Sequence, residues 1–132
     1  MSQQFCQGRL IWAFVLDPRG RNPKKRPVVI LTSNQEIATV DVFVTVVASC
    51  SAASRVPRPD HFIGLPFQEF GYCSTKLRKP TVVICDWLAE IPKSTAFSSD
   101  DFGGIVLPNL LRRIIAKVDE MGSAPAQPPS IG

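Results

Sequence analysis

The sequence predicts a mainly β domain, a small curved antiparallel barrel with a single helix at its C-terminal end. Short apolar runs rich in Val and Ile recur along most of the chain, and polar loops rather than helices separate them. One amphipathic stripe with helical spacing occurs, and it lies near the C-terminal end. Because helices do not alternate with strands, a parallel βαβ sheet is disfavoured. We therefore expect four to six short strands followed by one helix.

The predicted strands of the first half follow one another closely. The first covers residues 8–16 and ends at the turn signature Asp17-Pro18-Arg19-Gly20. The second covers residues 27–33, with Pro27 at its first position, where the missing N–H does least harm. After a polar connection over residues 33–38, the third covers residues 40–50, where two faces alternate.

The second half is predicted to be richer in loops. A loop over residues 51–60 leads to a short strand over 61–65, and a second long loop follows over 67–78. Residues 81–86 form a strand that 87–91 extend or follow, and 92–104 are a polar connection. Apolar side chains at three- and four-residue steps predict a helix over residues 107–121, with Pro108 in its first turn and Gly122 as its stop.

Length and composition are those of one compact domain. The chain has 132 residues, of which 45% are hydrophobic and 20% charged, and it can bury roughly two thirds of the surface exposed on unfolding. No apolar run reaches the ~18–20 residues of a transmembrane helix, and the first residues lack the pattern of a secretory signal. We expect a domain over residues 1–122, a disordered tail over 123–132, no membrane segment and a cytoplasmic location.

The cysteines and the histidine do not form a metal-binding pattern. The four cysteines are far apart in sequence and His61 is the one histidine, whereas a zinc site normally includes at least one close pair of ligands. We therefore expect buried or free thiols in a reducing compartment, with no metal and no cofactor. Nucleotide-binding glycine loops and the common hydrolase motifs are also absent.

Positive charge is concentrated in two segments, within a formal net charge of +4. The first basic segment holds Arg19, Arg21, Lys24, Lys25 and Arg26, and the second basic segment holds Lys76, Arg78 and Lys79. Both are predicted to be loops that run into a proline at a strand start. Strand starts at one end of a small barrel can lie side by side, which favours one surface that follows a phosphate backbone. Two unrelated solvated loops are the alternative.

Aromatic residues accompany the second basic segment. Phe62, Phe67, Phe70 and Tyr72 precede it closely in the chain. Such rings either pack in the core or stack on unpaired bases, and we expect core packing.

Several short motifs carry a family resemblance when they are taken in order. They are residues 8–12 (GRLIW), 17–20 (DPRG), 25–31 (KRPVVIL), 48–51 (ASCS), 77–83 (LRKPTVV) and 85–87 (CDW). Their order and spacing resemble the MazF/PemK family of toxin endoribonucleases over roughly residues 8–121. The resemblance implies an SH3-like (CcdB/PemK-like) barrel, a homodimer, and metal-independent cleavage of single-stranded RNA, typically mRNA. It also implies a type II toxin–antitoxin system, in which a cognate antitoxin neutralises the toxin.

The resemblance implies roles for particular residues. Arg26 stabilises the charge that develops on phosphorus, Ser51 belongs to a hydroxyl pair in which Cys50 replaces a threonine, and Asp86 takes part in acid–base chemistry. The charge pattern, rather than the resemblance, predicts the RNA-binding residues, which are the remaining cations of the two basic segments: Arg19, Arg21, Lys24, Lys25, Lys76, Arg78 and Lys79. An arginine that some members carry two residues before the acid is Ile84 here.

The first loop departs from the family pattern as well. Some members carry an acid or a histidine there, whereas this chain has Arg21, Asn22 and Pro23. A general base is therefore not identified, and two other functions stay open. One is a catalytically weakened relative that binds RNA or an antitoxin-like peptide, and the other is a related barrel toxin that acts on a protein such as a gyrase.

Overall fold

The computed structural model describes residues 5–123 of the chain. The strands are β1 (Arg9–Val15), β2 (Lys24–Ile30), β3 (Val42–Ser49), β4 (Phe62–Leu65), β5 (Thr81–Pro92) and β6 (Phe102–Ile105). The helices are α1 (Asn34–Ile37) and α2 (Pro108–Met121), with 3₁₀ turns at Ser51–Ser54 and Ser99–Asp101. Of the predicted tail, residues 124–132 lie outside the described residues.

The six strands form one curled antiparallel sheet, a half-barrel with the order β4-β5-β3-β2-β1-β6. The two edge strands are connected by the segment that follows β4. Ser74 and Thr75 accept backbone hydrogen bonds from Ile105 and Gly104 of β6 at 2.8 and 3.0 Å. The Thr75 hydroxyl donates to the carbonyl of Pro66, directly after β4, at 2.7 Å. The expected mainly β architecture with a C-terminal helix is confirmed.

The sheet buries side chains on both of its faces, because it is curled and covered. Successive residues of a strand point to opposite faces, so Leu10 belongs to one core cluster and Ile11 to the other. The first cluster is covered by α2, whose Leu111 and Ile114 are buried against it. The second cluster contains Phe43, which is fully buried.

Strand β2 begins earlier than predicted. Lys24, Lys25 and Arg26 are strand residues rather than loop residues, because they pair with the end of β1, where Val15 lies opposite Lys24. Pro27 is therefore interior and not the first residue of the strand. It is tolerated because the pairing of β2 with β3 starts only at the next residue.

The structure contains two short elements that were not predicted from the sequence. Residues 34–37 form a short helix capped by the Ser33 hydroxyl, and β6 lies within the segment predicted to be a polar connection. Strand β5 is continuous over both of its predicted parts. The C-terminal helix is confirmed, and Gly122 ends it in the left-handed conformation, with φ of 63°.

A methyl group at Gly104 is expected to open the contact between β6 and the segment after β4. A Cβ atom there would lie 1.9 Å from the backbone oxygen of Ser74, which no side-chain rotation relieves. We expect Gly104→Ala to lower the free energy of unfolding by about 3 kcal/mol, measured by urea denaturation. Gly64→Ala is the matched control, because its Cβ would meet only the flexible end of Arg58 at 3.3 Å. Equal stability of the two variants would contradict this expectation.

Candidate nucleic-acid interface

The two basic segments approach the same end of the sheet. Strands β2 and β5 start there and β3 ends there, since Ser49 of β3 pairs with Val82 of β5. Val28, the first residue of β2 that pairs with β3, lies opposite Val47. Neighbouring strands lie ~4.8 Å apart, so β2 and β5, which pair with opposite edges of β3, are separated by about 10 Å where both pair with it.

Arg26 is half-buried and its guanidinium is held on three sides. Its Nε donates to the carbonyl of Val15 at 3.2 Å, and Nη2 donates to the carbonyl of Asn22 at 3.1 Å. The Cζ atom lies 5.0 Å from the centre of the Trp87 ring, in a cation–π contact. These contacts fix the plane of the group and leave Nη1 without a hydrogen-bond partner among residues 5–123. A guanidinium held in this way is preorganised to bind an anion.

The carboxylate of Asp17 organises the loop that supports Arg26. Its Oδ1 accepts hydrogen bonds from the backbone of Arg21 and Arg19 at 2.8 and 3.0 Å, and its Oδ2 accepts one from the Asn22 side chain at 2.8 Å. The hydrogen bond from the Arg21 backbone is the main reason that the pKa of Asp17 lies below its ordinary value. Asn22 has φ of 53°, a conformation that Asn tolerates better than most residues.

This loop is expected to loosen only in strong acid. A carboxyl whose pKa is lowered by folding stabilises the fold at higher pH and loses that contribution as the pH falls through its lowered pKa. We expect the amide resonances of Arg19 and Arg21 to titrate with a pKa below the ordinary value of 3.8, measured by NMR. A titration at or above 3.8 would contradict the hydrogen bonds described, and the Asp17→Ala variant should abolish it.

Hydroxyl groups lie at the end of β3. The Oγ atoms of Ser49 and Ser51 are 3.0 Å apart, and the backbone N–H of Ala52 donates to Ser49 at 3.2 Å. Cys50, between the two serines, is an exposed free thiol. Ser51 and Cys50 line a cavity of about 330 Å³ together with Lys79 and Pro80. The structure therefore brings Ser51 beside the second basic segment.

A second cavity of about 270 Å³ adjoins the first, since Cys50 and Lys79 line both. It also contains Trp12, whose strand position is opposite Pro27 of β2. Its basic lining comes from Lys76, Arg78 and Lys79. We call the two cavities together the basic groove. This groove runs from the serines at the end of β3 to the segment that joins the sheet edges.

The predicted RNA-binding cations differ in their surroundings. Lys25 forms an ion pair with buried Asp101 at 2.6 Å and lies 5.9 Å from the centre of the Phe14 ring. The hydrogen bond from Lys25 is the main cause that lowers the pKa of Asp101. Arg78 donates to the carbonyl of Gly71 at 2.5 Å. Arg19, Arg21, Lys24, Lys76 and Lys79 are exposed.

Asp86 pairs with a histidine rather than with Arg26 or Ser51, the other two predicted catalytic residues. Its Oδ1 is 3.3 Å from Nε2 of His61, which directly precedes β4. No hydrogen bond or ion pair within residues 5–123 connects it to Arg26 or Ser51. Residues 84–87 of β5 lie across a single residue of β3, where the register shifts, so Asp86 and Trp87 sit together in this bulge.

Comparisons with known proteins extend only to the fold. The sequence matches no family model and no curated protein. The structure is similar to MazF from Deinococcus radiodurans, with 13% identity and a TM-score of 0.63 over 89% of this chain and 94% of that chain. It is also similar to an endoribonuclease solved with its cognate antitoxin from a mycobacterial species, with 16% identity and a TM-score of 0.59 over 92% and 98%. The chain has the MazF fold. A third such structure, toxin MazF-mt6 from Mycobacterium tuberculosis, has 20% identity and a TM-score of 0.53 over 86% and 93%.

The aromatic residues near the second basic segment correct one expectation. Phe62 is buried, but Phe70 and Tyr72 are 82% and 84% exposed and Phe67 is also exposed. Core packing was therefore the wrong expectation for three of the four rings on this MazF fold. These three rings lie in the connection between β4 and β5 and belong to neither core cluster.

Three further residues contribute to the candidate interface and had not been given a role from the sequence. Trp87 and Asp17 support Arg26 from two directions, and His61 is the partner of Asp86. Asp17 and Trp87 had been noted only within the motifs 17–20 and 85–87, and His61 only as the one histidine. Ile84 is half-buried and pairs with Phe62, so its place in the sheet is apolar.

Burial raises the pKa of the neighbouring Cys85 thiol to about 11, which keeps it protonated and unreactive at neutral pH.

Within residues 5–123, no three His, Cys, Asp or Glu side chains come together as a possible metal site. In the same part of the chain, no helix has the length and apolarity needed to cross a membrane.

Proposed function

We propose that this protein is a MazF-like toxin, an endoribonuclease that cleaves single-stranded RNA without a metal ion. The observation that carries the proposal is that the preorganised Arg26 and the basic groove with its serine hydroxyl lie at the same end of the sheet in a MazF fold. The resemblance in sequence and the likeness to solved MazF structures over most of the chain support it.

The reaction would use the ribose 2′-hydroxyl as the nucleophile on the adjacent phosphorus. The bond from phosphorus to the 5′-oxygen breaks, and the products are a 2′,3′-cyclic phosphate and a 5′-hydroxyl end. Arg26, held from three sides, would place its remaining donors on the phosphate oxygens as their negative charge grows. Ser51 would donate a hydrogen bond to the same phosphate. Lys79, in the basic groove, would bind a neighbouring phosphate of the strand.

Proton transfer is assigned to the bulge of β5. Asp86, with His61 as its partner, is the proposed acid–base group, because a carboxylate beside an imidazole can pass a proton in either direction. Asp86 is exposed, so a bound strand can reach it. This assignment accounts for acid–base chemistry without an acid or a histidine in the first loop.

A cognate antitoxin and a second copy of the chain are the proposed partners. One of the similar structures is an endoribonuclease in complex with its cognate antitoxin, which supports an antitoxin here. The exposed Trp12 and Phe14 of β1 support a homodimer, since exposed aromatic side chains on one strand are favourable interface residues. The RNA strand would then run across both subunits.

Growth of cells that express the protein tests the proposal. We expect wild-type protein, expressed without an antitoxin, to arrest growth and to fragment cellular mRNA. Arg26→Ala at equal soluble expression should do neither. Wild-type protein that leaves both growth and mRNA intact would contradict the proposed activity.

A catalytically weakened RNA-binding relative is the second candidate. Ile84, apolar and paired within the sheet, is the observation that favours it, because some members of the family have an arginine there. The weakened relative would bind single-stranded RNA as tightly as an active enzyme and leave it uncut. In that case Arg26→Ala would change binding alone.

A further inference from the structure

The loop between β4 and β5, which we call the 66–78 loop, is ordered at its base. The backbone N–H of Gln68 donates to the carbonyl of Leu77 at 3.0 Å, so the two arms of the loop are paired. The base is also joined to β6 through Ser74 and Thr75, as described above. Gly104 permits this close approach because it has no side chain. The loop is therefore a fixed projection from the sheet.

The tip of this loop presents two aromatic rings to solvent. Phe70 and Tyr72 flank Gly71, and more than four fifths of each side chain is exposed. The guanidinium of Arg78 donates to the Gly71 carbonyl between them, which fixes the turn. Neither ring contacts another aromatic ring within residues 5–123. Rings on a fixed turn lose little conformational freedom when they bind a flat partner.

The positive charge near the tip of the 66–78 loop favours a nucleic acid as the molecule that binds the two rings. Residues 66–79 contain three cations, Lys76, Arg78 and Lys79, and one acid, Glu69. The three cations line the basic groove, which continues to Ser51. Arg78 connects the tip to this groove, because it lines the groove and donates to the Gly71 carbonyl between the two rings. Aromatic rings joined to a positively charged groove are a combination that binds single-stranded nucleic acids, because every unpaired base has a face that stacks.

We propose that Phe70 and Tyr72 form a stacking platform for unpaired RNA bases whose phosphates lie in the basic groove. This inference rests on the proposed function and extends it by naming where the bases bind. The phosphates lie along Lys76 and Lys79, while one or two bases turn outward onto the rings. The platform selects for unpaired bases, since a base inside a duplex offers no free face.

Binding of an uncleavable RNA tests the platform separately from catalysis. The probe is a fluorescently labelled 2′-O-methyl RNA of mixed sequence, which lacks the attacking hydroxyl. We expect Tyr72→Ala and Phe70→Ala each to weaken binding about 10-fold, equivalent to ~1.4 kcal/mol, while Tyr72→Phe binds like wild type. Val56→Ala, another highly exposed apolar residue outside the loop, is the matched control and should bind normally.

Salt and abasic positions distinguish stacking from charge. Lys76→Ala should reduce the slope of log Kd against log salt by about 0.7, whereas Tyr72→Ala should leave that slope unchanged. Removing single bases from the probe should weaken wild-type binding at one or two positions. Removing the same bases should not weaken binding by Tyr72→Ala or Phe70→Ala any further, because these variants have already lost the stacking contact.

Three outcomes would overturn the platform. If wild type cleaves ordinary RNA while both alanine variants bind the probe normally, the platform is wrong and the proposed function survives. If wild type neither cleaves RNA nor binds the probe, both fail. If Phe70→Ala and Tyr72→Ala convert a dimer to a monomer in sedimentation, the rings belong to a subunit interface.

Discussion

Replacing Arg26 with alanine is expected to slow RNA cleavage by about 10²–10³-fold, the usual cost of removing one preorganised donor to a developing negative charge. The effect should fall on the rate constant at saturating RNA, because the donor acts mainly in the transition state. Arg26→Lys should recover little of the rate. Its ammonium keeps the charge but cannot reach two carbonyls, lie flat on Trp87 and bind phosphate at the same time.

Single-turnover kinetics on a defined RNA measure this effect. Lys24→Ala is the matched control, since Lys24 is an exposed cation two positions earlier on the same strand. It should weaken cleavage at low RNA concentration and leave the rate at saturation close to that of wild type. An Arg26→Ala rate within threefold of wild type, with the fold intact by thermal unfolding, would remove Arg26 from the mechanism.

Phe43→Ala is expected to produce the largest loss of stability. The ring is 0% exposed in the second core cluster, and its centre lies 5.2 Å from that of Phe5. Truncation of a fully buried phenylalanine costs about 3–5 kcal/mol through lost burial and the cavity left behind. A domain of this size has about 5–15 kcal/mol in total, so the variant should be partly unfolded at physiological temperature.

Urea denaturation of the variant and its neighbour tests this expectation. Val42 is the preceding residue on the other face of β3 and is 38% exposed. Val42→Ala should change the free energy of unfolding by about 0.5 kcal/mol. A similar small change for Phe43→Ala would mean that the second cluster does not stabilise the sheet.

The strands and the C-terminal helix were predictable because their signals are local. Alternation over β3 and the three- and four-residue steps of α2 follow from side-chain geometry within one element. The start of β2 and the existence of β6 were not predictable, because both depend on pairing with another segment of the chain. Lys24 joins the sheet only because Val15 is available to pair with it. In β6, Gly104 leaves room for the backbone of Ser74, and Gly103 leaves room for Leu10.

The positions of the cations in the candidate site were predictable from the sequence, but the contacts that support Arg26 were not. Arg26 and Lys79 could be expected at the same end of the sheet from their positions before Pro27 and Pro80, although β3 lies between their strands and Arg26 lies inside β2. The support of Arg26 by Trp87 could not, since it depends on the irregular register between β3 and β5. Long-range contacts through a bulge leave no pattern in the sequence of either strand.

Cleavage of a defined single-stranded RNA in EDTA, with both new ends identified, tests the central claim most directly. The account predicts fragments that end in a 2′,3′-cyclic phosphate and begin with a 5′-hydroxyl, produced by the wild type and lost in Arg26→Ala. RNA that stays intact in EDTA, or that wild type and Arg26→Ala cleave equally, would contradict it.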